Sequence, residues 1–104
     1  MPEDTNKPEG KPKLAATPRF PLGQTVATRT ALAVLPSLDI AGALYRHQHG
    51  DWGEVGKADW QANERALKQG ERLLSVYKTA DGIKFYIITE WDRSLTTVLL
   101  PEDY

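Results

Sequence analysis

Five residues in two parts of the chain have the side chains that metal-independent RNA cleavage requires. They are an upstream histidine, a carboxylate, an arginine and two hydroxyls: His49, Glu90, Arg93, Thr96 and Thr97. In that reaction an acid or a histidine moves the 2′-hydroxyl proton, and an arginine stabilises the charge on the phosphate. The same residue types are common in ordinary turns, where Asp92 accepts hydrogen bonds from the backbone ahead of it. We favour the turn, because a catalytic site requires a geometry that spacing does not give.

The two histidines do not form a metal site. His47 and His49 are two positions apart near the end of a predicted helix, so their side chains point roughly 160° apart. Asp51 would join His47 only if the helix continued beyond Gly50, and a glycine favours a helix stop there. The chain has no cysteine, which excludes thiolate ligands and cysteine nucleophiles. We therefore predict no metal, one histidine favourably placed at the helix C-terminus and the other in solvent.

The motifs of the common cofactor-dependent and hydrolytic enzymes are missing from the chain. It contains no P-loop, no G-x-G-x-x-G, no H-E-x-x-H and no nucleophile elbow. The formal net charge of −1 and the pI near 6.1 argue against a general electrostatic attraction to nucleic acid. These features predict no cofactor and favour a protein that is not an enzyme.

The first 21 residues have the composition of a disordered tail. They contain five of the seven prolines and few large apolar side chains, so they cannot bury enough surface to offset the entropy of ordering them. Residues 22–104 are then one small domain. No apolar run approaches the roughly 18 to 20 residues of a membrane span, so we expect no membrane association. The N-terminus has no apolar signal segment, which favours the cytoplasm.

Three helices are predicted ahead of the sheet. The first runs over 29–35 from a Thr28 cap to Pro36, and the second over 38–49 from a Ser37 cap. The third lies between an Asp59 cap and Gly70, with its large apolar side chains on one face.

The last 34 residues alternate like a three-stranded antiparallel sheet. Asp81-Gly82 is typical of a two-residue type I′ hairpin turn, which would pair Val76 with Ile87 and Tyr77 with Tyr86. A four-residue loop over 91–94 would pair Ile87 with Val98. The resulting core row is Val76–Ile87–Val98, on a face that also carries Leu74, Phe85, Thr89, Thr96 and Leu100. The predicted fold is α+β: a three- to four-stranded antiparallel β-meander with two or three helices packed on one face.

The other sheet face is a candidate binding surface. It would carry Tyr77 and Tyr86 among mixed side chains, and the large aromatic residues of the neighbouring loops add Trp52 and Trp91. An exposed patch of this kind marks a protein partner surface or a nucleic-acid platform. Cover by the N-terminal segment or by a second copy of the chain is the simpler interpretation, and we favour it.

Three segments carry a resemblance to a known group. They are His49 to Gly53, Thr89 to Ser94 and Thr96 to Tyr104. Over 22–104 the chain resembles small uncharacterised bacterial proteins that occur on plasmids and other mobile elements. That group has no assigned activity, so no functional residue is carried over from it. The order of a helix followed by three antiparallel strands is also similar to RelE- and barnase-like ribonucleases, at the level of the fold.

Two functions follow as expectations. The favoured one is a non-catalytic protein-interaction module of a mobile element, which binds a protein partner or a second copy through Trp52, Tyr77, Tyr86 and Trp91. The alternative is a metal-independent ribonuclease, a toxin of the RelE or barnase type, in which RNA is the partner of His49, Glu90, Arg93, Thr96 and Thr97.

Overall fold

Three helices precede most of a four-stranded sheet in the computed structural model, which describes residues 14–104. The elements in chain order are β1 (Gln24–Ala27), α1 (Arg29–Val34), α2 (Ser37–Gln48), α3 (Lys57–Gln69), β2 (Leu73–Lys78), β3 (Lys84–Thr89) and β4 (Leu95–Leu99), followed by a 3-10 turn, Pro101–Asp103. Residues 1–13 of the predicted tail lie outside the described residues. Within 14–104, no helix has the length and apolar character needed to cross a bilayer.

The helix ends follow local chemistry, with two differences from the prediction. The Thr28 hydroxyl caps α1 by accepting from the Ala31 backbone N–H, as expected. Pro36, not Ser37, is the N-cap of α2. α3 begins at Lys57, two residues before its predicted Asp59 cap. It ends at Gly70, whose φ of 69° is the left-handed conformation that glycine adopts without strain.

The sheet is mixed, whereas the sequence predicted a purely antiparallel one. Its order is β1-β4-β3-β2, and β2, β3 and β4 form the expected antiparallel meander. β1 pairs with β4 in parallel, with Thr25 opposite Thr96 and Ala27 opposite Val98. A parallel pair needs a long crossover connection, and the three helices with β2 and β3 provide one. The α+β class is confirmed, and the antiparallel meander is confirmed for three of the four strands.

The predicted register of the first hairpin is wrong by one residue. Thr79 pairs with Ile83, so the loop holds three residues, 80–82, instead of two. A type I′ turn needs positive φ at both central residues, and Gly82 has it (88°) but Asp81 does not. The second hairpin has the predicted register, with Ile87 opposite Val98.

This shift exchanges the two faces of β2. Leu73, Ser75 and Tyr77 lie on the side that the helices cover, and Leu74 and Val76 lie on the other. The central core row is therefore Ser75–Ile87–Val98, and the predicted row Val76–Ile87–Val98 is wrong. The phase of β3 and β4 was predicted correctly, because their helix-side residues are buried: Phe85, Ile87, Thr89, Thr96, Val98 and Leu100.

Part of the segment expected as a tail packs against the folded body. Phe20 is buried in a cluster with Trp52, Ala66 and Leu73. The Arg19 backbone N–H donates to the Gln48 carbonyl at 2.8 Å. Phe20 therefore precedes the domain start placed at residue 22 but contributes to the same core.

The outer edge of β2 is covered by two other parts of the chain. The Asn63 side chain of α3 donates to the Leu74 carbonyl at 2.8 Å and accepts from its N–H at 3.1 Å. Two residues further along β2, the Val76 N–H donates to the Trp52 carbonyl, and the Val76 carbonyl accepts from the Glu54 N–H. Gly53 permits this approach, because a Cβ there would lie 1.9 Å from the Val76 oxygen. Two of the three outward-facing residues of this edge strand, Leu74 and Val76, therefore have their backbone groups paired.

Replacing the Asn63 amide should destabilise the domain. Asn63→Ala leaves the N–H and the carbonyl of Leu74 without partners at a half-buried edge, so we expect the free energy of unfolding to fall by about 2 to 3 kcal/mol. Gln61→Ala is the matched control, because Gln61 is exposed on the same helix, and it should change stability by less than about 0.5 kcal/mol. Urea denaturation measures both, and equal stability of the two variants would contradict the role given to Asn63.

Candidate functional site

Two residues of the alternative ribonuclease prediction, Glu90 and Arg93, share one loop, and the other three lie elsewhere. Thr96 is buried on the helix side of β4, and Thr97 is on the opposite face because adjacent strand residues alternate. His49 is buried at the end of α2, where its Nδ1 lies 2.7 Å from the Tyr45 carbonyl and its ring stacks on Tyr45. Glu90 is 3.5 Å from the Arg72 guanidinium at the end of the sheet. These residues are not brought together around a common space.

The Arg93 guanidinium is engaged with backbone carbonyls. It donates to Glu71 at 2.6 Å, to Glu90 at 3.1 Å and to Ala66 at 3.1 Å. Two of these carbonyls belong to the C-terminus of α3 and the turn after it, where orphan carbonyls and the helix dipole favour a cation. Arg93 therefore closes α3 onto the β3–β4 loop and has few donors left for a phosphate.

The loop after β3 has the turn chemistry that we favoured. The Asp92 carboxylate accepts from the Ser94 backbone N–H at 3.1 Å and from its hydroxyl at 2.7 Å. These bonds lower the pKa of the Asp92 carboxyl. Arg93 adopts a φ of 61°, the one positive φ of a non-glycine residue within 14–104. The Arg93 guanidinium bonds to carbonyls and not to the neighbouring Asp92 carboxylate.

A buried chain of polar side chains crosses the centre of the domain. His47 of α2 is fully buried, with its Nδ1 2.6 Å from the Ser75 hydroxyl and its Nε2 2.9 Å from the Thr89 hydroxyl. The Thr89 hydroxyl is 2.8 Å from that of Thr96, which donates to the Leu22 carbonyl at 2.7 Å. These hydrogen bonds thus link α2, three strands and the segment before β1.

The Leu22 carbonyl at the end of this row of hydrogen bonds determines the direction of the bonds between it and His47. A carbonyl only accepts, so the Thr96 hydroxyl donates its one proton to the Leu22 carbonyl and must accept a hydrogen bond from Thr89. Thr89 then has no proton left for the imidazole and accepts from the Nε2–H of His47. Burial keeps the imidazole neutral, so the Nδ1 of His47 carries no proton and accepts from Ser75. His47 is therefore a neutral imidazole with its proton on Nε2.

The surroundings of His47 keep it neutral and out of reach of solvent. Phe20 and Trp52 contact its ring edge to face, with centroids 5.3 and 5.6 Å away. Burial, with a smaller effect of the Arg93 charge, lowers its pKa to about 3. A histidine beside a serine resembles a nucleophile and its base, but no substrate reaches this pair. The expectation of one histidine in solvent is wrong, because His47 and His49 are both buried.

The predicted aromatic binding residues divide between interior and surface. Trp52 and Tyr77 are buried on the helix side, where the Trp52 indole N–H donates to Glu64 at 2.9 Å and the Tyr77 hydroxyl to the Asp51 carbonyl at 2.6 Å. They cannot contribute to an exposed surface. The one-residue register shift is the reason for Tyr77, since it moves that side chain to the face opposite Tyr86. Trp91 is 65% exposed in the β3–β4 loop.

The sheet face opposite the helices has a largely apolar centre. We call it the open face, and its central members are Val26, Leu74, Val76, Tyr86, Ile88, Leu95, Thr97 and Leu99, with Gln24, Lys78 and Lys84 on the same face towards its edges. Both core clusters found within 14–104 draw their strand residues from the other side. Ile88 and Leu99 at its middle are buried, and the surrounding members are half-buried or exposed. The Tyr104 ring contacts the Tyr86 ring edge to face, with the ring centroids 5.9 Å apart, and Tyr104 borders the open face.

Other features of the described part of the chain add no catalytic cluster. Residues 14–104 contain no group of three or more histidine, cysteine, aspartate or glutamate side chains placed to hold a metal ion. Comparisons of the chain with protein-family models, curated proteins and solved structures found no match. The candidate functional site is therefore defined by geometry alone, and the open face is the candidate.

The neutral state of His47 should make stability depend on pH in a window where carboxylates do not titrate. The folded-state pKa near 3 lies below the usual 6.5, so below pH 6.5 the unfolded chain binds a proton that the folded chain does not. Stability should then fall with decreasing pH by up to about 1.4 kcal/mol per unit, or about 2 kcal/mol between pH 7 and 5. Urea denaturation at a series of pH values measures this slope.

His47→Gln is the matched variant for this experiment. Glutamine offers one acceptor and one donor, so it can bond to both Ser75 and Thr89, but it does not titrate. Its unfolding free energy should vary less between pH 7 and 5 than that of the parent chain. The same pH slope in both proteins would show that His47 is not the responsible group.

Proposed function

We propose that this chain is a non-catalytic protein-interaction module of a bacterial mobile element, such as a plasmid, and that it acts in the cytoplasm. Its partner binds the open face, with Tyr86 near the centre of contact. The origin in a mobile element rests on the resemblance carried by residues 49–53, 89–94 and 96–104. The binding role rests on the structure of the sheet.

The open face is the observation that supports a binding role. Single exposed apolar side chains are normal on protein surfaces, but a contiguous group on one sheet face is not. The half-buried residues Leu74, Val76, Tyr86 and Leu95 surround the buried Ile88 and Leu99, and one strand on each side of that pair continues the surface. An antiparallel sheet with one solvated face ordinarily carries polar residues there. This face has the composition of a contact surface instead.

The borders of the open face carry charge, as the rim of a protein interface does. Arg72 and Glu90 form an ion pair at one end, and Lys78 and Lys84 lie opposite each other at the other end. An apolar centre with a polar rim and a central aromatic residue is the usual arrangement of a protein–protein interface. The partner that fits this surface is a protein with an apolar patch and acidic residues towards the Lys78 and Lys84 end.

The ribonuclease alternative has no observation in its favour. Its residues do not converge on one site, since Thr96 and Thr97 lie on opposite faces of the sheet, and Arg93, the group needed to stabilise a phosphate, is bonded to carbonyls. Catalysis would need these bonds to break and the residues to converge. We therefore advance the binding role alone.

Substituting Tyr86 should weaken partner binding without unfolding the protein. Tyr86→Asp places a charge beside the buried middle of the open face, and we expect at least a tenfold loss of partner recovered by the tagged full-length chain, which corresponds to about 1.4 kcal/mol or more. Tyr45→Asp is the matched control, because Tyr45 is exposed on α2 at the helix side. Quantitative mass spectrometry of both pull-downs, with circular dichroism to verify folding, measures the effect.

Two results would contradict this proposal. One is equal recovery of all captured proteins by the Tyr86→Asp and Tyr45→Asp chains. The other is cleavage of RNA by the purified wild-type chain that is lost in a folded Arg93→Ala variant, which would restore the ribonuclease alternative.

A further inference from the structure

The two edges of the sheet differ in how they are protected. The outer edge of β2 is covered by Asn63 and by residues 52–54. At the other edge, β1 is exposed over most of its length. Exposed edge strands are ordinarily protected by lysine, proline, a bulge or a covering segment, and Gln24–Ala27 contains neither lysine nor proline. The contrast lies within one sheet, and it marks β1 as the edge that is open to pairing.

The backbone of β1 presents two outward-facing residues. In the parallel ladder the Gln24 N–H donates to Ser94 and the Thr28 N–H to Val98, so the even-numbered residues bond to β4. Thr25 and Ala27 therefore direct their N–H and carbonyl groups away from the sheet. Among the turn, loop and cap hydrogen bonds of residues 14–104, none reaches the N–H of either residue.

We propose that β1 pairs with β1 of a second copy of this chain, in antiparallel orientation about a two-fold axis at Val26. In this register Thr25 of each copy lies opposite Ala27 of the other, and each such pair exchanges two hydrogen bonds. Four backbone hydrogen bonds then form, and both outward residues of each strand are satisfied. Gly23, with a φ of 67°, is not extended, so the strand offers no further outward residue for a shifted register.

The side chains of the segment suit self-pairing. No charged residue occurs from Phe20 to Thr28, so no like charges meet at the two-fold axis, where they would be destabilising. Val26 lies opposite its own mate in a non-hydrogen-bonded pair, the arrangement in which β-branched side chains are closest. Val26 is 37% exposed in the single chain and would be covered by its mate. A second copy, rather than an unrelated strand, is favoured because this register is self-complementary.

Pairing of this kind joins two open faces into one surface. The two-fold axis is perpendicular to the sheet, so the helices of both copies lie on one side and both open faces on the other. The result is a continuous eight-stranded sheet with Val26 at the seam. This inference deepens the proposed function, because it names a second copy as one partner and doubles the surface offered to another protein.

Sedimentation equilibrium of the full-length chain tests the pairing. We expect a monomer–dimer equilibrium that Thr25→Pro and Val26→Lys each weaken at least tenfold. Proline at residue 25 removes an outward N–H and leaves the bonds to β4 intact, and lysine at residue 26 places like charges at the axis. Leu38→Lys is the matched control, because Leu38 is 86% exposed and lies outside β1, and it should leave the equilibrium unchanged.

Cysteine cross-linking tests the register independently of how well those variants fold. The chain has no cysteine, so Val26→Cys introduces a single thiol that would face its mate across a Cα separation of about 4.5 Å, within the range of a disulfide. Mild oxidation should convert Val26→Cys to a covalent dimer at least tenfold faster than Leu38→Cys. Equal rates for the two variants would overturn the proposed register.

A chain that stays monomeric up to about 1 mM, or a dimer that Thr25→Pro and Val26→Lys leave unchanged, would overturn the pairing itself. These failures are separable from failure of the proposed function. If the protein is a monomer but still captures a partner through Tyr86, only the β1 pairing is contradicted. If the protein forms a β1-dependent dimer and Tyr86→Asp does not change which proteins it captures, the pairing is supported and only the role of the open face is contradicted.

Discussion

The buried hydrogen-bond chain through His47 is the constraint on which the rest of this domain depends. An imidazole and three hydroxyls are removed from water at the centre of the core, and each would cost about 1 to 3 kcal/mol if left unpaired. The hydrogen-bond chain gives each of these groups a partner, and its bonds all donate in one direction, from Ser75 towards the Leu22 carbonyl. Among the described residues, no buried side-chain nitrogen or oxygen lacks a partner. A displacement of α2, β2 or the segment before β1 breaks a link, so their relative positions are specified together.

This constraint explains why the core row contains serine where the sequence predicted valine. The run Leu73 to Tyr77 is apolar in either phase, so alternation alone does not determine which residues of β2 face inward. The turn was the remaining local signal, and Asp81-Gly82 pointed to the wrong loop length. The small hydroxyl of Ser75 leaves room for the His47 ring and donates to it, whereas Val76 would leave Nδ1 unpaired. The register is thus determined by a contact 28 residues away, which no local pattern contains.

The features that could be predicted are those with local causes. The Thr28 cap, the glycine that ends α3, the 91–94 loop and the pairing of Ile87 with Val98 each depend on a few neighbouring residues. β1 was the element least visible, because a four-residue strand that pairs in parallel has no partner near it in sequence. The candidate site followed the same division. Tyr86 and Trp91 are at the surface, but the exposure of Tyr77 depended on register and that of Trp52 on the Phe20 and His47 rings that contact it.

Residue type alone misled the chemical interpretation in one consistent way. The groups that resemble catalytic ones are used to hold backbone and termini in place. Arg93 closes α3, and Glu64 binds the Arg19 guanidinium through both carboxylate oxygens at 2.9 Å while it accepts from Trp52. Asp103 joins the last turn to Thr28 and Thr30 at the start of α1. These polar contacts lie on the helix side, at the β2 edge or at the chain ends. The open face and β1 receive none of them, and of the apolar residues of the open face the fold itself buries Ile88 and Leu99. The proposed contact with another chain would bury the half-exposed side chains that surround these two residues.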